Sequence, residues 1–332
     1  MGEELNIPQQ VADAIRCPVC ARTMTVMSVP SPGFTCSEGH VITEHDGYLD
    51  ASVNQKADGN TSRTFESFGY EWTTFDDVRP EDVEFSKVYF KDLDMSSLNG
   101  KIGLDAGCGK GRYTRFLAPN LGALVALDGS DAVLSAVKNL SQFDNVTVVR
   151  SDLRHAPFAP RSFGFISSLG VLHHLDDPEA GFRGLVSLLA PGGSILVYLY
   201  SRPSDFGVRR IALSMSAAVR RATVRMPHNV LKPVSYLIAI LLKLTMVGPG
   251  ELGDRKKIGF LSGLPMSAYR RKPFRSLELD TFDRLSAPVE NRYVWNDLKP
   301  WFQSAGLVVD AARDEAGWFV LAHLPRIDPT QN

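Results

Sequence analysis

The segment 102–111, which reads IGLDAGCGKG, constrains the fold of this 332-residue chain more than any other feature. A short apolar run predicts a strand over 101–105, and glycines at positions 107, 109 and 111 allow a sharp turn and close approach of a ligand to the backbone. The helix predicted beyond the turn offers free N–H groups in its first turn. The segment therefore predicts a strand, a ligand-binding loop and a helix in succession.

Short apolar runs continue to alternate with helical stretches beyond this loop, and such alternation implies right-handed crossovers and a parallel sheet. The predicted elements are strands 123–127, 146–150, 163–168 and 194–200 and helices 112–118, 132–140 and 179–189. The pattern is interrupted over 202–285 and resumes with a helix at 295–304 and apolar runs at 307–309 and 318–324. We therefore predict an α/β fold with a doubly wound, seven-stranded, mostly parallel sheet.

The loop differs from a dinucleotide-binding fingerprint, which reads G-x-G-x-x-G. Here the loop reads G-x-G-x-G and is preceded by Asp105, whose charge would repel a pyrophosphate but suits a cationic amino-acid ligand. Asp128 follows the next predicted strand, 17 residues past Gly111. At that position an acidic side chain can accept hydrogen bonds from ribose hydroxyls.

Five motifs, in the expected order and spacing, resemble those of the class I S-adenosylmethionine-dependent methyltransferases. The motifs are LDAGCGKG at 104–111, ALDGS at 126–130, SDL at 151–153, LGVLHHLDDP at 169–178 and LLAPGGSILVYLY at 188–200. The resemblance covers residues 65–200 clearly and the C-terminal strands loosely, and it implies S-adenosylmethionine as the cofactor. One departure is Gly164, where many relatives carry an acidic residue early in the fourth strand.

The resemblance also implies a role for each motif. Asp105 and the backbone of 107–111 would hold the methionine part of the cofactor, Asp128 the ribose, and Asp152 with Leu153 the adenine. The implied cofactor-binding set is Asp105, Ala106, Gly107, Cys108, Gly109, Gly111, Asp128, Gly129, Ser130, Asp152, Leu153 and Leu169. The aromatic segment 65–72, FESFGYEW, either closes over the cofactor, as N-terminal helices do in similar enzymes, or packs in the core.

Two adjacent histidines are the candidate catalytic residues. His173 and His174 follow the fourth predicted strand, at the sheet edge where open α/β sheets bind ligands. Methyl transfer from a sulfonium mainly requires proximity and alignment, and a base helps only where the acceptor must lose a proton. One histidine can take that proton, or both shape the pocket without taking part in the chemistry.

Three of the four cysteines lie in the first fifty residues. Cys17, Cys20, Cys36 and His40 give the pattern C-x2-C-x15-C-x3-H, close to known zinc spacings, with His45 as a substitute for His40. Four protein ligands leave no open position, so the pattern predicts a structural Zn²⁺ in a zinc-ribbon-like module. A zinc module ahead of this fold resembles the ribosomal RNA guanine methyltransferases, whose N-terminal cysteines and histidine contact RNA.

The predicted organisation is a zinc-binding module over 1–50, a linker and N-terminal helices over 51–98, and a methyltransferase domain over 99–332. The domain contains a helical lid insertion at about 202–285. Residues 202–275 carry fifteen Lys and Arg against three acidic residues, although the whole chain has a net charge of −1. The imbalance indicates an anionic partner, which would be nucleic acid, lipid head groups or a phosphorylated substrate, or else solvated helix faces.

Within the insertion, a basic amphipathic helix precedes the nearly apolar run 234–247, which is too short and too charged for a membrane span. The pattern over residues 202–247 leaves three interpretations. The segment makes peripheral membrane contact, forms a lid over a bulky or lipophilic acceptor, or consists of two helices packed on the core. The N-terminus lacks the basic start and apolar core of a secretory signal, so we expect a cytoplasmic protein that can lie against a membrane.

Three functions compete. The insertion and the C-terminal tail resemble bacterial methyltransferases acting on small molecules or on lipid and glycan precursors, which favours such an acceptor. The alternative is an RNA methyltransferase acting on ribosomal RNA bases; it ranks second because residues 1–50 contain only two basic residues, Arg16 and Arg22. The third, a non-catalytic binding module with the same fold, conflicts with the intact glycine loop and its two aspartates.

Overall fold

The computed structural model describes residues 7–28, 31–52, 59–203, 208–264, 266–315 and 317–326. The chain divides into two compact units. The sheet unit contains Met1–Arg202 and Val289–Asn332, and the helical unit contains Pro203–Pro288. Positions 53–58 of the predicted linker lie outside the described residues.

One sheet, with eleven strands among the described residues, organises the sheet unit. Its spatial order is β1-β2-β3-β4-β7-β6-β5-β8-β9-β11-β10. The strands are β1 (Met24–Met27), β2 (Gly33–Cys36), β3 (Val41–His45), β4 (Tyr48–Asp50), β5 (Ile102–Ala106), β6 (Ala123–Asp128), β7 (Val146–Arg150), β8 (Phe163–Leu169), β9 (Leu189–Leu199), β10 (Val308–Asp314) and β11 (Trp318–His323).

The seven strands β5–β11 have the predicted doubly wound arrangement. Strands β5–β9 pair in parallel, while β11 runs antiparallel to β9 and β10 antiparallel to β11. From β5 the chain winds outward to β6 and β7, then returns to the other side for β8 and β9. The α/β fold class is confirmed, and the junction of β5 and β8 is the switch point at which such sheets bind ligands.

Helices cover the sheet because their apolar faces match its buried strands. They are α1 (Gln9–Ala14), α2 (Gly59–Thr74), α3 (Pro80–Tyr89), α4 (Arg112–Leu117), α5 (Ala132–Leu140), α6 (Pro178–Ser187) and, after the helical unit, α12 (Trp295–Ser304). On α5 the side chains of Val133, Ala136 and Leu140 form a buried stripe at helical spacing. The start of α6 is fixed by Asp177, whose carboxylate accepts a hydrogen bond from the Ala180 N–H.

The sheet extends beyond the seven predicted strands. Strand β4 pairs in parallel with β7, and β1–β3 continue outward as an antiparallel meander. The pairing continues past the strand end, where the Ala51 N–H donates to the Arg150 carbonyl with 3.0 Å between nitrogen and oxygen. Without β4, the edge of β7 would present unpaired backbone groups. The cysteine-containing segment therefore covers an edge of the main sheet.

The helical unit contains α7 (Val208–Thr223), α8 (His228–Leu242), α9 (Gly248–Lys256), α10 (Gly259–Ser262) and α11 (Phe274–Ser286). A π-helical turn, Lys243–Val247, joins α8 to α9 in one continuous helix. The small core of the unit contains Ala239, Val247 and Leu277. The continuous helix His228–Lys256 is long and apolar enough to cross a membrane by length and composition alone, and 22% of its apolar window is buried inside the protein.

The insertion leaves and re-enters the sheet unit at one place. Beyond β9, Ser201 forms a parallel bridge with Tyr293. The Tyr293 N–H donates to the Tyr200 carbonyl at 3.0 Å, and the Arg202 N–H donates to the Tyr293 carbonyl at 2.8 Å. The backbone just before the helical unit is thus hydrogen-bonded to the backbone just after it.

Candidate functional site

The glycine loop after β5 has a backbone that side chains would disrupt. Gly107, Gly109 and Gly111 have φ values of +84°, +54° and +82°, in the left-handed region that favours glycine. A Cβ atom on Gly107 would lie 2.3 Å from Cγ2 of Val171, which follows β8. The loop therefore runs close to the switch point and depends on glycine for its shape.

Asp128, at the end of β6, connects its own loop to the glycine loop. Its Oδ2 accepts a hydrogen bond from the Gly109 N–H at 2.9 Å. Its Oδ1 accepts from the Ser130 N–H at 2.9 Å and from the Ser130 hydroxyl at 2.6 Å. Burial raises the pKa of the Asp128 carboxyl, and the hydrogen bonds from Ser130 oppose that rise. Oδ2 keeps lone-pair capacity for a further donor such as a ribose hydroxyl.

Asp105, in β5, is enclosed. Its Oδ2 accepts from the Thr114 hydroxyl at 2.6 Å and its Oδ1 accepts from the Ser167 hydroxyl at 2.9 Å, which ties β5 to α4 and β8. Desolvation raises the pKa of this carboxyl to about 6, against the effect of the two hydroxyls. The side chain is 1% exposed, and its neighbours Ala106 and Cys108 are buried as well.

The predicted adenine loop follows β7. Asp152 begins the short helical turn Leu153–His155, and its Oδ1 accepts from the Arg154 N–H at 2.9 Å. The Arg154 guanidinium also pairs with the Asp152 carboxylate, through Nε at 3.0 Å, and donates to the Thr61 hydroxyl of α2 at 3.1 Å. Sequence reasoning missed Arg154, although a basic residue two positions after the predicted Asp152 was a visible signal.

His173 lies at the carboxyl end of β8 with a fully buried ring. The ring stacks on Tyr200 with 3.9 Å between centroids and an interplanar angle of 30°. Neither ring nitrogen has a hydrogen-bond partner in the described part of the chain. Burial lowers the pKa of His173 well below its ordinary value, and His174 and Arg292 act in the same direction. The imidazole is therefore neutral at physiological pH.

His174 is held differently. Its Nδ1 lies 2.7 Å from the Val289 carbonyl oxygen, which can only accept, so this nitrogen carries the proton. Its ring meets Phe68 of α2 edge-on, with 4.9 Å between centroids. The Asn291 N–H donates to the His173 carbonyl at 2.8 Å and so holds the peptide bond that joins the two histidines. Sequence reasoning missed Tyr200, Asn291 and Arg292, because they come from distant segments.

The aromatic residues of α2 lie against the predicted cofactor loops. A Cβ atom on Gly109 would lie 3.1 Å from Nε1 of Trp72, and one on Gly129 would lie 2.4 Å from Cζ of Phe65. Phe65, Phe68 and Trp72 are spaced to share one helix face. Phe65 and Trp72 of this segment therefore lie next to the loops after β6 and β5.

The predicted zinc ligands converge in the N-terminal strands. The ligand atoms of Cys17, Cys20, Cys36 and His40 all lie within 4.8 Å of one another. Cys20 Sγ is 3.8 Å from Cys36 Sγ, and Cys36 Sγ is 3.4 Å from His40 Nδ1. The alternative ligand, His45, lies outside the cluster and has its Nε2 2.8 Å from the Thr43 hydroxyl.

This arrangement fits a tetrahedral metal. Zinc–sulfur bonds of about 2.3 Å at tetrahedral angles place the sulfur atoms about 3.8 Å apart, which is the separation of Cys20 and Cys36. Each pair of ligands closes a tight turn, since the Ala21 N–H donates to the Cys17 carbonyl and the Gly39 N–H to the Cys36 carbonyl. Although burial opposes it, hydrogen bonds from the Glu38 and His40 backbone lower the pKa of the Cys36 thiol to about 6.

Comparison with known proteins agrees with this geometry. A family model described as a methyltransferase domain matches residues 104–197. A tRNA (carboxymethyluridine(34)-5-O)-methyltransferase of Schizosaccharomyces pombe is 29% identical over 39% of this chain and 53% of its own length. A ubiquinone/menaquinone biosynthesis C-methyltransferase of Shewanella baltica is 26% identical over 53% of this chain and 72% of its own length.

An uncharacterized protein of a Synechococcus strain is 34% identical over 37% of this chain and 31% of its own length. The chain thus spans about a third of that relative and about half of the tRNA methyltransferase. Among solved structures, a SAM-dependent methyltransferase from Aquifex aeolicus is 14% identical, over 77% of this chain and 98% of that one, with a TM-score of 0.45. Residues 104–197 of this chain are therefore similar to a methyltransferase domain.

Proposed function

We propose that this protein transfers a methyl group from S-adenosylmethionine to a small-molecule acceptor of the metabolite or lipid- and glycan-precursor class. The observation that carries the proposal is the hydrogen bond from the Gly109 N–H to the Asp128 carboxylate, which joins the loop after β5 to the loop after β6. S-adenosylmethionine would supply an electrophilic methyl group on a sulfonium. The protein then has to bind the cofactor and the acceptor, align them with each other and exclude water.

The cofactor-binding residues are those of the two loops. The glycine loop, whose backbone a ligand can approach closely, would border the amino-acid end of the cofactor, and the free lone pair of Asp128 would accept from the ribose. Asp152 and Leu153 would border the adenine, and Leu169 would line the crevice at the end of β8. A Cβ atom on Gly170 would meet nothing within 4 Å, which supports open space at this point.

Asp105 would position the glycine loop and, when ionised, contribute a negative charge near it. Because its oxygens are engaged by Thr114 and Ser167, it fixes the strand that carries the glycine loop. When ionised, it also adds negative potential near the loop, which favours the ammonium group of a bound amino acid. The direct contact with the methionine part of the cofactor, which the sequence resemblance implies, stays a prediction.

His173 would take the proton of an acceptor hydroxyl or amine. A neutral imidazole whose nitrogens have no partner among the described residues can accept a proton, and stacking on Tyr200 fixes the ring plane. His174 would position the pocket wall, because its Nδ1 is committed to the Val289 carbonyl.

RNA is the alternative acceptor, since one relative is named a tRNA methyltransferase. The basic residues of the zinc module argue against it. Arg16 donates to the carbonyls of Asp13 and Ile15, and Arg22 pairs with Glu38. Residues 1–50 contain no other Lys or Arg, and the charge of Arg22 is countered by Glu38, so RNA phosphates would meet little positive charge there.

For the cysteine cluster we propose one structural Zn²⁺ held by Cys17, Cys20, Cys36 and His40. Four protein ligands leave no position for a substrate or water, so the metal would stabilise the N-terminal strands without taking part in methyl transfer. Because β4 pairs with β7, that stabilisation would extend to the edge of the main sheet.

Titration calorimetry with S-adenosylmethionine tests the cofactor. We expect binding that Asp128→Asn weakens about tenfold, while Asp131→Asn, at a nearby residue paired with Arg150, leaves it unchanged. Absence of binding would make the protein a non-catalytic module. Transfer of labelled methyl from the cofactor to small-molecule or lipid fractions of a cell extract supports the proposed acceptor class, and label confined to RNA contradicts it.

A further inference from the structure

Large apolar side chains are exposed along one face of the continuous helix in the helical unit. Val230, Leu237, Leu241 and Leu244 are 43%, 65%, 59% and 69% exposed. Their spacing of seven, four and three residues places them in one stripe. A contiguous exposed stripe of this kind marks a binding surface rather than ordinary surface residues.

The π-helical turn keeps this stripe in register. Leu252, also exposed, lies eight residues beyond Leu244. In an uninterrupted α-helix, eight residues would rotate the side chain by about 80° from the stripe. The turn Lys243–Val247 adds one extra residue, which reduces the offset to about 20°. The leucine stripe, defined here as Val230, Leu237, Leu241, Leu244 and Leu252, therefore runs along both α8 and α9.

The opposite face of the same helix is buried in the unit. Leu231, Ser235, Ala239 and Val247 are all nearly inaccessible, and Leu277 of α11 belongs to the same core. A helix with one face packed on protein and the other exposed can lie in the plane of an interface.

Charge also argues against a spanning orientation. Lys232 and Lys243 bracket an uncharged run of ten residues, and Glu251 lies eight residues after Lys243. A transmembrane helix needs about 20 apolar residues in succession.

A basic and aromatic tip lies at the end of α9. Arg255, Lys256 and Lys257 are exposed, and so are the two apolar residues that follow closely, Ile258 and Phe260. Phe260 is 83% exposed, more than any other large apolar residue described. Residues 203–288 hold fifteen Lys and Arg against six Asp and Glu. Cations beside exposed aromatic and aliphatic side chains match lipid phosphates above an acyl layer.

We propose that the helical unit docks on an anionic lipid bilayer, with the leucine stripe at the acyl boundary and Arg255, Lys256 and Lys257 at the phosphates. A second copy of the chain would bring two positively charged surfaces together, which is unfavourable. A nucleic acid would use the cations but leave the leucine stripe in water. The bilayer is the one occupant that uses both features.

Vesicle co-sedimentation of the full chain tests the docking. We expect binding to vesicles of phosphatidylcholine with phosphatidylglycerol, little binding to phosphatidylcholine alone, and weakening by salt. The double change Leu237→Ser and Leu241→Ser should lower the partition coefficient about tenfold. Alanine at Arg255, Lys256 and Lys257 should lower it about fivefold per charge removed. The matched control is Leu134→Ser, which changes a leucine of similar exposure in the sheet unit.

Three outcomes overturn the proposal. They are no binding to anionic vesicles, equal binding by the stripe variant and wild type, and resistance to carbonate extraction, which indicates a spanning helix. A dimer in sedimentation that Leu237→Ser dissociates, without any vesicle binding, assigns the stripe to a second copy. Phe260→Ser gives an independent variant if the double change does not fold. The assay uses neither cofactor nor turnover, so its result is separate from that of the proposed methyl transfer.

Discussion

The sheet unit and the helical unit differ in which side chains they bury and which they expose. Of the fifteen large apolar side chains exposed among the described residues, ten lie in the helical unit, within 215–260. The five in the sheet unit are scattered from Val19 to Val308. In the sheet unit, by contrast, polar groups such as Asp105 and His173 are buried at the switch point. The sheet unit thus buries polar side chains, whereas the helical unit exposes apolar ones.

The two units also differ in the kind of signal that identifies their candidate functional features. The candidate site of the sheet unit is formed by backbone turns and a few enclosed side chains, so short motifs identify it. The candidate surface of the helical unit is formed by the spacing of interchangeable leucines and cations. No single residue there is indispensable, and a pattern of exposure is needed to detect it.

The largest expected effect concerns the metal. Cys36→Ser should release the zinc and lower Tm by about 10 °C, because the N-terminal strands pair with β7. Metal analysis and calorimetry measure both effects. His45→Ala, which changes a histidine outside the cluster, should leave one zinc per chain. Full stability of a metal-free Cys36→Ser protein would separate the module from the sheet unit.

The second effect is the pH dependence of Asp105. Its pKa of about 6 lies above the ordinary aspartate value of 3.8, so the folded state binds this proton more tightly than the unfolded state. Stability from this group is full below about pH 4 and is lost as pH rises through about 6, by about 3 kcal/mol. Denaturant unfolding of wild type and Asp105→Asn should therefore diverge between pH 4 and 7, and parallel curves contradict the burial argument.

The third effect is on turnover. His173→Gln should lower kcat about 100-fold with little change in cofactor affinity, as expected for loss of a general base. Because burial lowers the pKa of His173 well below its ordinary value, wild-type kcat should show no titration of this residue near pH 6.5. Unchanged turnover in His173→Gln would leave the imidazole a purely structural role.

The fourth effect is on the glycine loop. Gly107→Ala adds a Cβ atom 2.3 Å from Val171 and should weaken S-adenosylmethionine binding about 30-fold, or about 2 kcal/mol. Gly100→Ala is the control, since Gly100 also has a positive φ but a Cβ there meets nothing within 4 Å. Equal affinity in the two variants would mean that the contact with Val171 is unimportant.

The smallest effect tests the helical unit directly. Leu237→Ala should change the free energy of unfolding by no more than about 0.5 kcal/mol, because its side chain is exposed. Leu277→Ala, in the core of the same unit, should cost about 3 kcal/mol. Thermal or denaturant unfolding compares them. A large loss at Leu237 would mean that this face is already covered by protein.

Much of the sheet was predictable because buried parallel strands are continuous apolar runs. Strand β7 and helices α5 and α12 have the predicted bounds. Strand β9 begins at Leu189 rather than 194, since Gly192 and Gly193 resembled a loop although the chain stays paired, with a register shift opposite β8. The β4–β7 pairing was not predictable, because local pattern does not specify which distant edge a strand covers.

The candidate site was predictable to the same degree. Motifs identify Asp128 and the glycine loop, whereas the groups around His173 come from β9 and from residues beyond the insertion. In the helical unit, the run 234–247 looked short because it stops at a glycine. A π-helical turn continues the helix through that position, which the sequence pattern does not reveal.

The bridge between Ser201 and Tyr293 has a consequence for how this protein can vary. An insertion whose two ends are held side by side behaves as an exchangeable cassette, since a short turn can replace it without disturbing strand order. A relative can therefore carry a different insertion at this point, or none, while the strand order of the sheet stays the same.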